Sequence, residues 1–199
     1  VRMRINVLSE IPEEWQEKLN LWSEMNKDKK KRVNGILIPN KNDEYFYYQT
    51  LIGTFLDTGV NTEYLNRIKE YSIKAVREAK IHTEWLKPDT NYEEAYSEFI
   101  EKTLKNSKNN LFLNDFKEFK KKVSEFGIYN SLVQMIIKIT APGVPDFYQG
   151  TELWEFSMVD PDNRGLVNFE ERIKILKECE NYKINLDEKN DGKIKLYIM

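Results

Sequence analysis

Residues 140–165 read TAPGVPDFYQGTELWEFSMVDPDNRG, with five acidic residues, one arginine and four aromatic rings set among three prolines and three glycines. Asp146, Tyr148, Gln149 and Glu152 fall within seven positions, and Asp160, Asp162 and Arg164 within five. Aromatic faces beside carboxylates and amides suit a sugar, which offers apolar C–H faces and a rim of hydroxyls. An arginine beside two aspartates can lock its own loop by ion pairing, or it can orient the acids onto hydroxyl groups. Pro142 and Pro145 stiffen the approach to this stretch, while Gly143 and Gly150 allow tight turns or close backbone approach.

Elsewhere the chemistry is sparse. There is no phosphate-binding G-x-x-x-x-G-K-[ST], no G-x-G-x-x-G, no G-x-S-x-G and no cysteine–histidine cluster for zinc, so no cofactor and no metal are expected. The single histidine is His82, and any histidine-dependent nucleophile would have to use it. With Trp85, three positions on, it is expected to form part of a polar, aromatic ligand surface; the alternative is a capping or solvent-facing histidine in a loop. The run KDKKKR at 27–32 could meet phosphate, but it carries no interleaved aromatics and reads as a solvated loop.

Composition bounds the rest. A chain of 199 residues with 40% hydrophobic and 32% charged side chains reads as a globular protein with a charge-rich surface. A net charge of −2 gives no global pull toward nucleic acid or an anionic membrane. No apolar run approaches the roughly 18 residues a membrane span needs, and VRMRINVLSE is not a secretory signal. One cysteine, Cys179, excludes an internal disulfide and fits a reducing cytoplasm. Abundant Lys and Glu with scarce Cys is the composition of heat-loving sources.

The candidate residues need elements to hold them. Apolar spacing predicts a helix from about Pro12 with Trp15, Leu19, Trp22 and Met25 as its stripe, then a Gly/Pro/Asn connector, VNGILIPNKND. DEYFYYQTLIGTFL resumes the helix, and Asn61 and Thr62 are candidate caps for a long amphipathic helix through Lys80 that carries Leu65, Ile68, Ile73 and Val76. Pro88 breaks the pattern. YEEAYSEFIEKTLK and DFKEFKKKVSEF are helical, the second ended by Gly127. IYNSLVQMIIKI is apolar almost all round, which predicts burial on several sides. VPDFYQ reads as a short strand, Asn168 with Glu171 as a capping box opening a helix to about Asn181, and the tail from Lys193 to Met199 alternates like a strand. The fold is thus predicted to be mainly α. A buried helix, a short strand and a long polar loop follow βα-barrel grammar, in which functional groups sit at the strands' C-terminal ends. One such unit cannot close a barrel, and both chain ends read as cut from something longer.

Several of these segments carry a resemblance. APGVPDFYQGTEL resembles the eighth-strand segment of the α-amylase superfamily barrel. LWEFSMVDPDNR resembles, more specifically, the maltooligosyltrehalose synthases, (1→4)-α-D-glucan 1-α-D-glucosylmutases. So do NDEYFYYQTLIGTF at 42–55 and REAKIHTEWLKPDTNYEEA at 77–95, which are similar to a helical insertion late in that family's barrel. VRMRINVLSEIPEEW resembles the segment after its seventh-strand histidine–aspartate motif. The order is collinear over nearly the whole chain, although Gly165 and Leu166 stand where the family usually has a basic residue and a proline.

The resemblance implies a mainly α chain made of a helical insertion (1–126), the last strand/helix portion of an incomplete (β/α)8 barrel (127–182) and the start of a C-terminal region (183–199). It implies part of an enzyme of trehalose biosynthesis that turns the reducing-end α-1,4 link of a maltooligosaccharide into an α,α-1,1 link. The family's catalytic carboxylates belong to upstream strands, so no catalytic residue is expected in this chain. Asp160, Asp162 and Arg164 would lie near the sugar at the cleavage point or brace its loop. Tyr148 and Glu152 would line the barrel mouth, and His82 and Trp85 would face the reducing-end glucose. The implied partners are a maltooligosaccharide and the missing N-terminal catalytic portion. Two other readings stand beside this one: an α-glucan hydrolase of the same superfamily, and a non-catalytic helical carbohydrate-binding or interaction module. The insertion motifs NDEYFYYQT and HTEW, which ordinary amylases do not resemble, discriminate against the hydrolase.

Overall fold

A computed structural model describes residues 1–199. The chain forms α1 (Arg2–Glu10), α2 (Pro12–Asn26), a hairpin of β1 (Lys31–Val33) and β2 (Ile36–Ile38), α3 (Lys41–Thr54), α4 (Thr62–Ala79), α5 (Thr90–Leu104), α6 (Leu111–Thr140), α7 (Phe169–Cys179) and α8 (Lys193–Ile198). The mainly helical expectation holds, and the reason is local. Asn40, Asn61, Asp89, Asn110 and Asn168 each accept a hydrogen bond from the backbone N–H three residues on, opening α3 through α7. Each such cap stabilises its helix by roughly 1 kcal/mol.

The core is aromatic and centres on Trp22. Its ring lies 5.5–5.8 Å from those of Tyr48, Phe112, Phe116, Phe119 and Trp15, mostly edge to face. That brings the stripe of α2 against α3 and the first half of α6. The indole N–H, which burial would otherwise orphan, donates to Asp115 at 2.7 Å, and Lys18 donates to both oxygens of the same carboxylate at 2.8 and 2.7 Å.

Helix α1, which apolar spacing did not reveal, packs against two other helices through glycines. A Cβ on Gly53 of α3 would meet Val1 at 2.9 Å, and one on Gly127 of α6 would meet the Arg4 backbone at 3.2 Å. Gly127 therefore does not end a helix as expected. α6 runs through it unbroken for 30 residues, and the missing side chain serves helix–helix approach instead. The Gly/Pro/Asn connector is in fact a hairpin with Lys31 opposite Ile38 and Val33 opposite Ile36. Its turn residues Asn34 and Gly35 have φ of 49° and 82°, which an Asn-Gly turn adopts easily. Within the basic run, Lys30 is not solvated: it is paired with Glu44 at 2.6 Å, the two side chains only 6% and 4% exposed.

Three expectations near the end of the chain fail together. VPDFYQ forms no strand, since a single strand has no ladder partner here to take up its backbone groups. The tail folds as α8, which satisfies its own backbone, with Ile194 buried. The second half of α6 is not buried on several sides: Leu132 and Met135 turn inward, but Val133, Ile136 and Ile137 are 46–61% exposed. Phe169, Ile173 and Leu176 of α7 are exposed as well. No helix is long and apolar enough to cross a membrane.

Candidate functional site

Residues 150–168 form a strap with no regular element except the single turn Asp162–Arg164. Between the strap and the helices lies a cleft of about 970 Å³. Gln49 of α3, Tyr71 of α4 and Gln134 of α6 line it together with Tyr148, Trp154 and Asn163. Side-chain amides and aromatic rings together give it the polar and apolar surfaces that a sugar requires.

The strap is held by three arginines from three helices. Arg4 of α1 is buried; it donates to the Phe55 carbonyl at 2.9 Å and lies 4.2 Å over the Phe156 ring. Burial pushes its pKa down to about 10, which still leaves it charged at neutral pH. Arg67 of α4 grips Asp162 through Nε and Nη2 at 2.8 and 2.9 Å. Arg172 of α7 donates to Glu152 at 2.9 Å and to the Gly150 carbonyl at 2.8 Å.

The predicted residues between Tyr148 and Arg164 separate into three groups. Tyr148 stands on the cleft, 58% exposed. Glu152 and Asp162 are committed carboxylates. Burial raises the pKa of each, but the hydrogen bonds from Arg172 and from backbone N–H groups outweigh it at Glu152, as those from Arg67 and the Met158 N–H do at Asp162. Both are left below the usual carboxylate range, so neither is poised to give a proton. Asp160 and Arg164, four positions apart, pair with each other, 55% and 73% exposed. Arg164 therefore takes one aspartate and leaves the other to Arg67.

His82 and Trp85 stand apart from the strap residues and do not line the cleft. His82 stacks on Tyr92 at 4.8 Å between ring centroids, with Nε2 2.7 Å from the side-chain nitrogen of Asn40. Trp85 is 54% exposed, with the Arg77 guanidinium 4.9 Å above its ring. Arg77 also forks onto Glu93, which accepts from Thr83 at 2.6 Å. No three histidine, cysteine, aspartate or glutamate side chains converge in a way that could hold a metal ion.

Sequence reasoning missed the three clamping arginines. Arg67 sits on the polar side of an amphipathic helix, 95 positions from its partner, where nothing local marks it. Arg172 was the most accessible to such reasoning, because the capping box at Asn168 places it in the first turn of α7 beside the strap.

No protein-family model matches the chain. It is 30% identical over 188 residues to a putative maltooligosyl trehalose synthase of Mycobacterium tuberculosis, covering 94% of this chain and 23% of that protein. Among solved structures, a crystal structure of maltooligosyl trehalose synthase superposes with a TM-score of 0.88 at 40% identity, over 99% of this chain and 26% of that one. A hypothetical maltooligosyl trehalose synthase of Sulfolobus tokodaii superposes with a TM-score of 0.82 at 41% identity, over 99% of this chain and 25% of that one. The resemblance to maltooligosyltrehalose synthases thus extends over nearly every residue, and the chain spans about a quarter of their length.

Proposed function

We propose that this chain is part of an intramolecular glucosyl transferase that converts the reducing-end α-1,4 link of a maltooligosaccharide into an α,α-1,1 link, giving a maltooligosyl trehalose. The observation that carries this reading is the whole-length likeness to a solved maltooligosyl trehalose synthase, at 40% identity and a TM-score of 0.88. The reaction is a retaining transfer: a carboxylate attacks the anomeric carbon while a second carboxyl protonates the leaving oxygen. The freed glucose then turns over and re-attacks the glycosyl-enzyme through its own anomeric hydroxyl. Those carboxylates belong to upstream segments of the parent protein, and the chain alone is inactive. The committed state of Glu152 and Asp162 supports this division of labour.

The chain's contribution is a wall. Re-attack competes with hydrolysis, so the site must hold the freed glucose and exclude water. Asp160 and Arg164, paired with each other and exposed, offer a charged acceptor and donor to sugar hydroxyls from the tip of the strap. Tyr148 offers a ring face at the mouth. His82 and Trp85 approach the reducing-end glucose only if that sugar extends over the loop between α4 and α5. The exposed apolar faces of α6 and α7 support a larger whole, in which residues 127–182 pack against barrel elements from upstream, with 1–126 as the insertion and 183–199 leading into the next region. The lone cysteine, Cys179, is free and buried, which supports a cytoplasmic site of action.

The test is Arg164→Ala in the complete gene product. The expected result is a lower transfer rate and a larger share of turnovers ending in hydrolysis. Wild-type values for both would remove Arg164 from the site.

A further inference from the structure

Asp162 is the most firmly held residue of the strap. One carboxylate oxygen accepts from Arg67 Nε; the other accepts from Arg67 Nη2 at 2.9 Å and from the Met158 N–H at 2.6 Å. The same Nη2 donates to the Phe156 carbonyl at 3.0 Å. One guanidinium therefore spans both ends of the loop 156–162 and fixes its side chain and its backbone together. Two turns along α4 from Arg67, Lys74 donates to the Asp160 carbonyl. The Arg67 and Asp162 side chains are 23% and 19% exposed, so solvent screens them far less than the Asp160–Arg164 pair that they flank.

We propose that Arg67 is a positioning residue of the glucosyl transfer: by clamping Asp162 and the Phe156 carbonyl, it sets where Asp160 and Arg164 stand against the sugar. The inference rests on the function proposed above and adds to it a dependence of the reaction's outcome on helix α4. The geometry requires arginine. A planar fork can meet two carboxylate oxygens and a carbonyl at once, whereas a lysine ammonium at that distance is a single point of charge. A clamp with a purely structural role would change melting temperature without changing how turnovers divide. A positioning clamp changes that division, because a misplacement of about 1 Å can cost on the order of a hundredfold in rate.

The experiment uses the complete gene product with maltopentaose and compares wild type, Arg67→Ala, Arg67→Lys, Asp162→Ala and the Arg67→Ala/Asp162→Ala double variant. It reads isomerisation kcat and KM, the fraction of turnovers ending in hydrolysis, and melting temperature. Arg67→Ala is expected to lower isomerisation kcat by roughly ten- to a hundredfold and to raise the hydrolysed fraction, with KM moving much less. Arg67→Lys is expected to recover part of the loss, and the double variant to be no worse than the poorer single. Lys69→Ala, which removes a pair between α4 and Glu101 of α5, serves as a control and leaves isomerisation kcat and the hydrolysed fraction unchanged. If Arg67→Ala does not accumulate folded, Arg67→Lys and Asp162→Asn carry the same comparison. A working mutase whose folded Arg67 variants divide turnovers as wild type does overturns the inference alone, as do effects that add in the double variant. A wild-type product that gains reducing ends from maltopentaose overturns the function proposed above, and the inference with it.

Discussion

A Cβ placed on Gly127 would lie 3.2 Å from both the backbone nitrogen and the Cα of Arg4. Backbone atoms cannot rotate away as a side-chain tip can, so the usual gain of replacing a mid-helix glycine by alanine, up to about 1 kcal/mol, is not realised here. Gly127→Ala is expected to destabilise by about 1 kcal/mol and Gly127→Leu by roughly 3 kcal/mol, read from urea midpoints. A stabilised Gly127→Ala would show that α1 is free to shift. Because Arg4 sits on α1 and lies over Phe156, the same substitutions loosen the strap.

Asp115 gives a sharper test of the core. It satisfies the buried Trp22 N–H and the Lys18 ammonium together. Asp115→Ala strips both donors and is expected to cost about 2–3 kcal/mol, while Asp115→Asn keeps an acceptor for the indole and costs less. Equal costs would mean that the charge on Asp115, rather than the indole bond, is what matters.

These two sites show what the sequence made legible and what it did not. The stripe of α2, the caps at Asn61 and Asn168 and the break at Pro88 are local features, since each depends on residues within one turn of one another. The hairpin is equally local: Asn34-Gly35 is a strong hairpin signal, but flanking strands of three residues leave too little alternation to read beside the connector's Gly, Pro and Asn. Gly127 misled because a glycine near the end of a polar-faced run has two uses, and only the arrival of Arg4 from the far end of the chain decides between them. VPDFYQ and the second half of α6 misled for a different reason. A strand and an all-round apolar helix each need neighbours to cover them, and in this chain VPDFYQ has no ladder partner and the outer face of α6 stays exposed. In the site, the aromatic and amide chemistry of Tyr148 and its surroundings was readable, but the division of Asp160 and Asp162 between two arginines was not.

Stability should fall in acid through Glu93. The Arg77 hydrogen bond, opposed by burial and reinforced by Thr83, holds its carboxyl below the ordinary 4.5. A depressed folded pKa means the unfolded state binds the proton first as pH drops. The contribution is therefore fully present above about pH 4.5 and is lost as pH falls through the lower folded value. Glu93→Gln is expected to flatten the melting-temperature profile between about pH 5 and 3 while lowering stability at pH 7. An unchanged slope would mean that other carboxylates carry the acid sensitivity.

The exposed face of α6 makes a prediction about context. Ile137→Lys in the isolated 199-residue chain is expected to cost under about 0.5 kcal/mol and to reduce self-association, since the side chain is 61% exposed. In the complete product the same change is expected to cost more than about 2 kcal/mol, because the packing proposed for this face would bury the unpaired charge. Equal small costs in both settings would leave this face open to solvent in the whole protein.

The central claim is the transfer itself, and its most direct measurement is reducing power after maltopentaose is incubated with the complete gene product, with the 199-residue chain as control. The account requires the complete product to lose reducing ends without releasing an equivalent of glucose, and the chain alone to leave reducing power unchanged. A rise in reducing ends would contradict it and make the parent a hydrolase.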